Sequence, residues 1–354
     1  MRVVVLPADK TGCGTLRMLW PGEVVSKIRP DWTVEVYDPA HIQIATNGSG
    51  KLTKVRGFDP YDIDVLVVQR IGIPSSVKLM EWMSKMGTAV VVDSDDAMWA
   101  IERDNVAFAP WNGGMYHWKW LDRAAEVADL VTVTTDRLAR RYGKHGRVEI
   151  LGNCVPEAAL SLESRRDEFD QTVTLGWSGF TGTHPGDLRV VGSAVSEVCE
   201  ETGAKVRIIG DAEGASRDWG VVAEQVGPFS LGPDYYRGLT TVDIGLVPLR
   251  DSVFNHSKSW LKALEFSVMG VPVVASATED NRRLAKTVPI LLAESEAEWK
   301  SHLSRLIVSP HEREVRGREA KERVQQFHTF EGNAEKWANA WERAAARKRR
   351  LAYA

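Results

Sequence analysis

Asn255-His-Ser-Lys-Ser-Trp-Leu-Lys-Ala-Leu-Glu-Phe-Ser-Val-Met-Gly-Val-Pro-Val-Val-Ala-Ser276 joins a polar turn and a helix to a buried parallel strand. Asn255 to Ser257 can cap a helix whose first N–H groups and positive dipole end suit a diphosphate, and Lys258 adds a full charge beside them. Glu265 falls two turns further along, where a carboxylate accepts two hydrogen bonds from a ribose diol. Gly270-Val-Pro then ends the helix and opens the apolar strand Val271 to Ala275. The plain alternative is one ordinary helix–strand unit of an α/β sheet.

Outward from this stretch, strands and helices alternate. Strands are expected at Val3–Leu6, Thr33–Tyr37, Val65–Gln69, Ala89–Asp93, Leu130–Val133 and Val148–Leu151, with helices after Thr15 and at about Val77–Met86, Leu121–Ala128 and Arg137–Tyr142. The strands are apolar on both faces, as in a parallel sheet covered by helices on both sides. Between Pro156 and Gln171 the chain turns charged and loses strand character. The alternation resumes with Val173–Trp177, Val206–Ile209, Ile244–Val247 and Val271–Ala275, separated by helices after Asp187, near Tyr235 and from Ser257. The expected organisation is therefore two Rossmann-like domains, 1–156 and 172–325, facing a central cleft, with a C-terminal helix in 326–354. In that helix Trp337 and Trp341 stand at i and i+4 and make one apolar face that packs back on the first domain.

The chain of 354 residues suffices for two domains, and its 44% hydrophobic content for ordinary cores. A formal net charge of -3 gives no general attraction for nucleic acid. Cys13, Cys154 and Cys199 have neither paired nor metal-ligand spacing. No apolar run approaches the ~18 residues of a membrane span, and the opening Met1-Arg-Val-Val-Val-Leu-Pro is too short for a signal peptide. A soluble cytoplasmic protein is expected. The five basic residues within Arg343–Arg350 either touch an anionic membrane surface or acidic partner, or form a solvated helix end.

Two parallel-sheet domains place ligands where the carboxyl ends of their strands converge. Phe254-Asn255 through Ser276, Val242-Asp-Ile-Gly-Leu-Val-Pro248 and Leu175-Gly-Trp-Ser-Gly179 occur in an order and spacing that resembles the donor domain of GT-B glycosyltransferases, closest to the retaining, family-four-like group. The resemblance covers the second domain well and the first loosely. It implies a nucleoside-diphosphate sugar as donor substrate, no permanently bound cofactor, and donor phosphates facing Gly179-Phe-Thr-Gly-Thr-His184, with Gly179 and Thr181 in contact. The family's pair of glutamates falls on Ser257 and Glu265. Only the second is present, and the resemblance implies that it binds the donor ribose. Lys258, with Lys262 or Arg189, is left to meet the phosphates.

Many relatives end a central strand of the first domain with a His-Asp pair at the reacting sugar. Here Val92-Asp-Ser-Asp-Asp96 puts Asp95 and Asp96 at those positions; the structural alternative is that one of them caps the next helix. Asp93-Ser94-Asp95 also has the form of a carboxylate metal motif. Two wound domains argue against the fold class that uses it, so metal-independent transfer is expected, with lysine and the helix dipole balancing the leaving group. Gly12-Cys-Gly-Thr-Leu-Arg17 resembles a dinucleotide fingerprint but carries Arg17 where the third glycine belongs. A dehydrogenase therefore ranks last. Gly12 and Gly14 border the acceptor side in relatives, and Arg17 either grips an anionic group or lies on the surface. His117 sits among Trp111, Tyr116, Trp118 and Trp120, which either stack on a sugar acceptor or pack as a lid; with Asp95 and Asp96 it completes the expected catalytic set. The acceptor itself, glycan, protein or lipid-linked, is not legible. The expected function is retaining glycosyl transfer, the alternatives a nucleotide-sugar epimerase of the same fold or a non-catalytic nucleotide- or sugar-binding protein.

Overall fold

The computed structural model describes residues 1–49, 51–70, 72–163, 172–211, 213–227 and 230–352. The chain divides into two compact units: Met1–Ile101, Phe108–Asn153 and Asn333–Ala354 form one, Glu102–Ala107 and Cys154–Gly332 the other. Of the charged stretch Pro156 to Gln171, residues 164–171 lie outside the described ones.

The first unit is built on a parallel sheet of β1 (Arg2–Leu6), β2 (Thr33–Val36), β5 (Val65–Gln69), β6 (Ala89–Ser94), β7 (Leu130–Val133) and β8 (Val148–Ile150), in the order β2-β1-β5-β6-β7-β8. The central strands are valine-rich and buried on both faces. β-branched side chains suit such a doubly covered surface. An antiparallel hairpin, β3 (Gln43–Thr46) and β4 (Leu52–Arg56), interrupts the winding and escapes the sequence reading, because its residues are mostly polar and exposed. The C-terminal helix, Phe330–Ala352, lays Trp337, Ala338, Trp341 and Ala345 into the same core as Val3, Val5, Val65 and Val67. Its cations are partly taken up locally: Arg343 makes a two-pronged pair with Glu149, at 2.6 and 2.5 Å, and Lys348 bonds Ser84.

The second unit carries β9 (Thr174–Phe180), β10 (Lys205–Asp211), β11 (Ala223–Val226), β12 (Ile244–Val247), β13 (Val273–Ser276) and β14 (Leu291–Ala293), all parallel, in the order β11-β10-β9-β12-β13-β14. Trp177, Trp219 and Trp299 lie in the core on this sheet. The strand expected from Val271 begins at Val273, since Pro272 has no N–H to donate to the ladder and only its carbonyl is used, by Gly245 N–H. In both sheets the winding reverses beside the first strand, between β1 and β5 and between β9 and β12. Those two crevices, at the carboxyl ends of the strands, are where a doubly wound sheet binds ligands. Among the described residues no helix is long and apolar enough to cross a membrane.

Candidate active site

At the β9–β12 crevice the helix expected from Ser257 starts later. Asn255–Ser257 form a single 3-10 turn, Lys258 is extended, and the α-helix runs Leu261–Val268. The physical reason lies in the side chains meant to cap it. Asn255 Nδ2 donates to Asp187 Oδ1 at 2.6 Å and to the Arg250 carbonyl at 3.2 Å, and Ser257 Oγ donates to the Val253 carbonyl. Asp280 takes over instead, accepting the Trp260 N–H at 2.9 Å. Glu265 thus lies one turn into the helix, not two, and Asp280 already shares the dipole end that the sequence reading reserves for a phosphate. Lys258 precedes that helix, its ammonium 4.5 Å from the centre of the Phe254 ring.

Lys262, on the first turn, places Nζ 2.6 Å from the Ser178 carbonyl and 5.2 Å from the centre of the Trp177 ring. Gly179 follows directly, at φ +142°. A Cβ there would stand 2.6 Å from Lys262 Nζ and 3.0 Å from the Trp177 ring, so only glycine lets the ammonium meet the strand end. Gly179→Ala is expected to lower stability by about 1–2 kcal/mol through its backbone conformation alone, measured as a shifted urea midpoint; an unshifted midpoint would show that the strand end adapts. Thr181, in the 3-10 turn after β9, reaches toward the Glu213 carbonyl.

Two side chains, Asp187 and Tyr235, organise this crevice, and neither was singled out in the sequence. Asp187, only 1% exposed, accepts from the Arg250 backbone N–H at 3.0 Å and from Asn255, and its other oxygen holds His184 Nδ1 at 2.8 Å. It ties the loop after β9 to the loop after β12. Burial first, then the charges of Lys258 and Lys262, push the His184 imidazole down to about 3, so the ring is neutral and donates its Nδ1–H to Asp187. Tyr235 donates its hydroxyl to Glu265 Oε2 at 2.8 Å and meets Ser178 Oγ at 3.2 Å. Glu265 is 4% exposed, and burial lifts its carboxyl from the ordinary 4.5 to about 7 against the opposing effects of Lys262 and Tyr235.

At the β1–β5 crevice of the first unit the corrections are larger. Arg17 neither faces a ligand nor lies on the surface. It is fully buried, paired through Nε and Nη2 with Asp93 at 3.1 and 2.7 Å, bonded to the Leu151 carbonyl and Asn153, and stacked 4.6 Å from the Trp337 ring centre. A π-helical turn, Thr15–Leu19, carries it. Gly14 packs on backbone: a Cβ would come 1.7 Å from the Asp9 carbonyl oxygen, while Gly12 has open space around it. Asp93 is thereby committed to Arg17 and Thr132, and Asp95 and Asp96 are both held by Arg70, Asp96 at 2.8 Å, so the Asp93-Ser94-Asp95 triplet does not offer a joint pair of ligands. No group of three metal-binding side chains occurs among the described residues. Neither aspartate caps the next helical turn, Met98–Ala100, which has no side-chain cap.

Arg70 was missed, although a charge directly after the strand Val65–Gln69 was its signal. Its backbone is left-handed, φ +49°, and is tied by its N–H to the Asp93 carbonyl at 3.0 Å. Burial would raise Asp95, but the charge of Arg70 holds it below the usual carboxylate range. His117 begins the helix His117–Val127, its ring edge-on to Trp111 at 6.0 Å, and lines with Trp111 and Arg70 a cavity of about 850 Å³.

Residues 192–339 match the family described as "Glycosyl transferase-like", a span that includes Tyr235, Lys258, Lys262 and Glu265. Sucrose-phosphate synthase from Thermosynechococcus elongatus superposes with a TM-score of 0.65 at 14% identity, over 98% of this chain and 99% of that one. The chain has the GT-B fold, and residues 192–339 carry a glycosyl transferase-like region. A glycosyltransferase from Rickettsia africae gives a TM-score of 0.64 at 10% identity, covering 97% of this chain and 98% of that one. HepE from Anabaena, solved in complex with UDP, gives 0.61 at 12% identity, with 96% and 98% covered. No curated protein matches the sequence. In this fold each crevice gathers its own set: Gly179, His184, Tyr235, Lys262 and Glu265 in the second unit, Arg70, Asp95, Asp96 and His117 in the first.

Proposed function

We propose that the enzyme moves a sugar from a uridine diphosphate sugar to a hydroxyl acceptor, with retention, without a metal, and in the cytoplasm. The observation that carries the donor assignment is the meeting of Lys262, Gly179 and the Tyr235–Glu265 pair at one strand end. The ammonium groups of Lys258 and Lys262 lie close enough to depress the buried His184, a local field suited to a diphosphate. Glu265 Oε2 is held by Tyr235, and the carboxylate stands one turn into the helix, where a ribose diol is its natural partner. The choice of uridine is supported by HepE, which was solved with UDP and with UDP-glucose.

In the reaction the bond from the anomeric carbon to the diphosphate breaks and a bond to the acceptor oxygen forms on the same face. The acceptor proton passes to a donor phosphate oxygen, so no enzymic nucleophile is needed. Lysine charge offsets the negative charge that grows on the leaving diphosphate. His184, neutral and fixed by Asp187, adds no third cation to Lys258 and Lys262.

The test is calorimetric titration with UDP, GDP and ADP, followed by turnover of UDP-sugars with a panel of hydroxyl acceptors and NMR of the product anomer. UDP is expected to bind tightest, and an inverted product would refute retention. Turnover is expected to persist in EDTA; loss that manganese restores would refute the metal-free part of the proposal.

A further inference from the structure

The 850 Å³ cavity at the β1–β5 crevice lies wholly within the first unit and has a definite chemical character. Its wall mixes apolar side chains, Ile42, Ile44, Ile73 and Trp111, with polar ones, Gln43, Gln69, Ser75 and Ser76. Gly72 makes that wall possible: a Cβ there would stand 2.9 Å from His117 Cβ and 3.1 Å from the Trp111 ring. Arg70 is the only lysine or arginine on the lining, and its guanidinium is already committed to Asp95 and Asp96. Asp9, also on the lining, accepts the N–H groups of Thr11 and Gly14. Two carboxylates thus already hold the one guanidinium, and a phosphate or carboxylate entering here meets no uncommitted lysine or arginine among the described lining residues. A neutral molecule that carries both an apolar body and hydroxyls covers the apolar side chains and leaves partners for the polar ones.

We propose that this cavity is the acceptor site and that it selects an uncharged amphipathic alcohol, its apolar body against Ile42, Ile73 and Trp111 and its hydroxyls near His117, over phosphorylated sugars. The proposal rests on the transfer reading above, since that reading is what makes the ligand an acceptor. Size and lining suit a ring-bearing alcohol or glycoside, whereas a small, fully hydroxylated sugar leaves Ile42, Ile73 and Trp111 uncovered.

Phenyl glucoside, glucose and phenyl phosphate serve as probes, titrated calorimetrically against the intact protein without a donor. Phenyl glucoside is expected to bind roughly tenfold or more tighter than glucose, and phenyl phosphate no better than glucose. Ile73→Asp should abolish the preference for the phenyl group. Ile73 occupies the extended position just before the helix Pro74–Lys85, where aspartate is a favoured cap, so this variant should keep its fold. Its UDP affinity should equal that of the parent. Phenyl phosphate binding tighter than phenyl glucoside, glucose matching it, no phenyl glucoside binding, or a preference unchanged by Ile73→Asp would each overturn the proposal. Phenyl glucoside binding by a protein that fails to bind UDP would instead refute the transfer reading while leaving the cavity's selectivity standing.

Discussion

Replacing Arg17 by methionine is expected to cost about 3–5 kcal/mol of stability, as breaking a buried ion pair strands the remaining charge. Asp93 and Arg17 are both essentially without solvent contact, and Thr132 alone would remain on the carboxylate, at 2.7 Å. Three further contacts, to the Leu151 carbonyl, to Asn153 and over the Trp337 ring, go at the same time. Urea unfolding read by tryptophan fluorescence should show the loss, and the double variant Arg17→Met with Asp93→Leu should recover part of it, because an apolar pair of similar volume leaves no stranded charge. An unaltered midpoint accompanied by lost acceptor affinity would return Arg17 to the role of a ligand-binding residue.

The second large effect falls on Glu265. Glu265→Ala should weaken UDP binding by ~1.5–3 kcal/mol, the worth of a hydrogen bond to a charged group, or roughly 10- to 150-fold. The carboxyl sits near 7 when folded against 4.5 ordinarily. Its sign follows from linkage: below the lower value both states are protonated and nothing is lost, whereas between the two values the unfolded chain sheds its proton and the folded one cannot. Stability should thus fall by about 3 kcal/mol as pH rises from 4.5 to 7. UDP affinity should move the other way, rising from pH 6 to 8 as the carboxylate forms to accept the ribose. Glu265→Gln should flatten both profiles. A folded Glu265→Ala variant with unchanged UDP affinity, or a wild-type affinity independent of pH across this range, would remove Glu265 from the donor site.

Much of the second unit was readable along the chain because its signals are local. Apolar runs of four or five residues mark the buried strands, Gly270 and Pro272 mark the end of one helix and the late start of β13, and Lys262 and Glu265 are within a turn of each other on one helix. The unread parts are long-range. Asp187 gains its importance from Arg250 and Asn255, which reach it from the loop after β12, more than 60 residues on. Tyr235 matters because its hydroxyl spans Glu265 and Ser178, 30 and 57 residues away. The hairpin β3–β4 and the edge strand β11 lack the buried alternation that reveals a strand, since their neighbours leave them half in solvent.

Arg17 shows the limit most clearly. Its neighbours Gly12 and Gly14 suggested a phosphate loop, and nothing nearby in the chain announces a partner at Asp93 or a tryptophan lid from the last helix. From sequence alone came the fold class, the two Rossmann-like halves and the helix carrying Lys262 and Glu265, because hydrophobic periodicity and helix-stop residues act over a few positions. Tertiary packing alone decided which charges are spent inside the protein and which face a crevice. A charged side chain takes its role from the partner that compensates its desolvation, and here those partners lie on other strands, loops and helices.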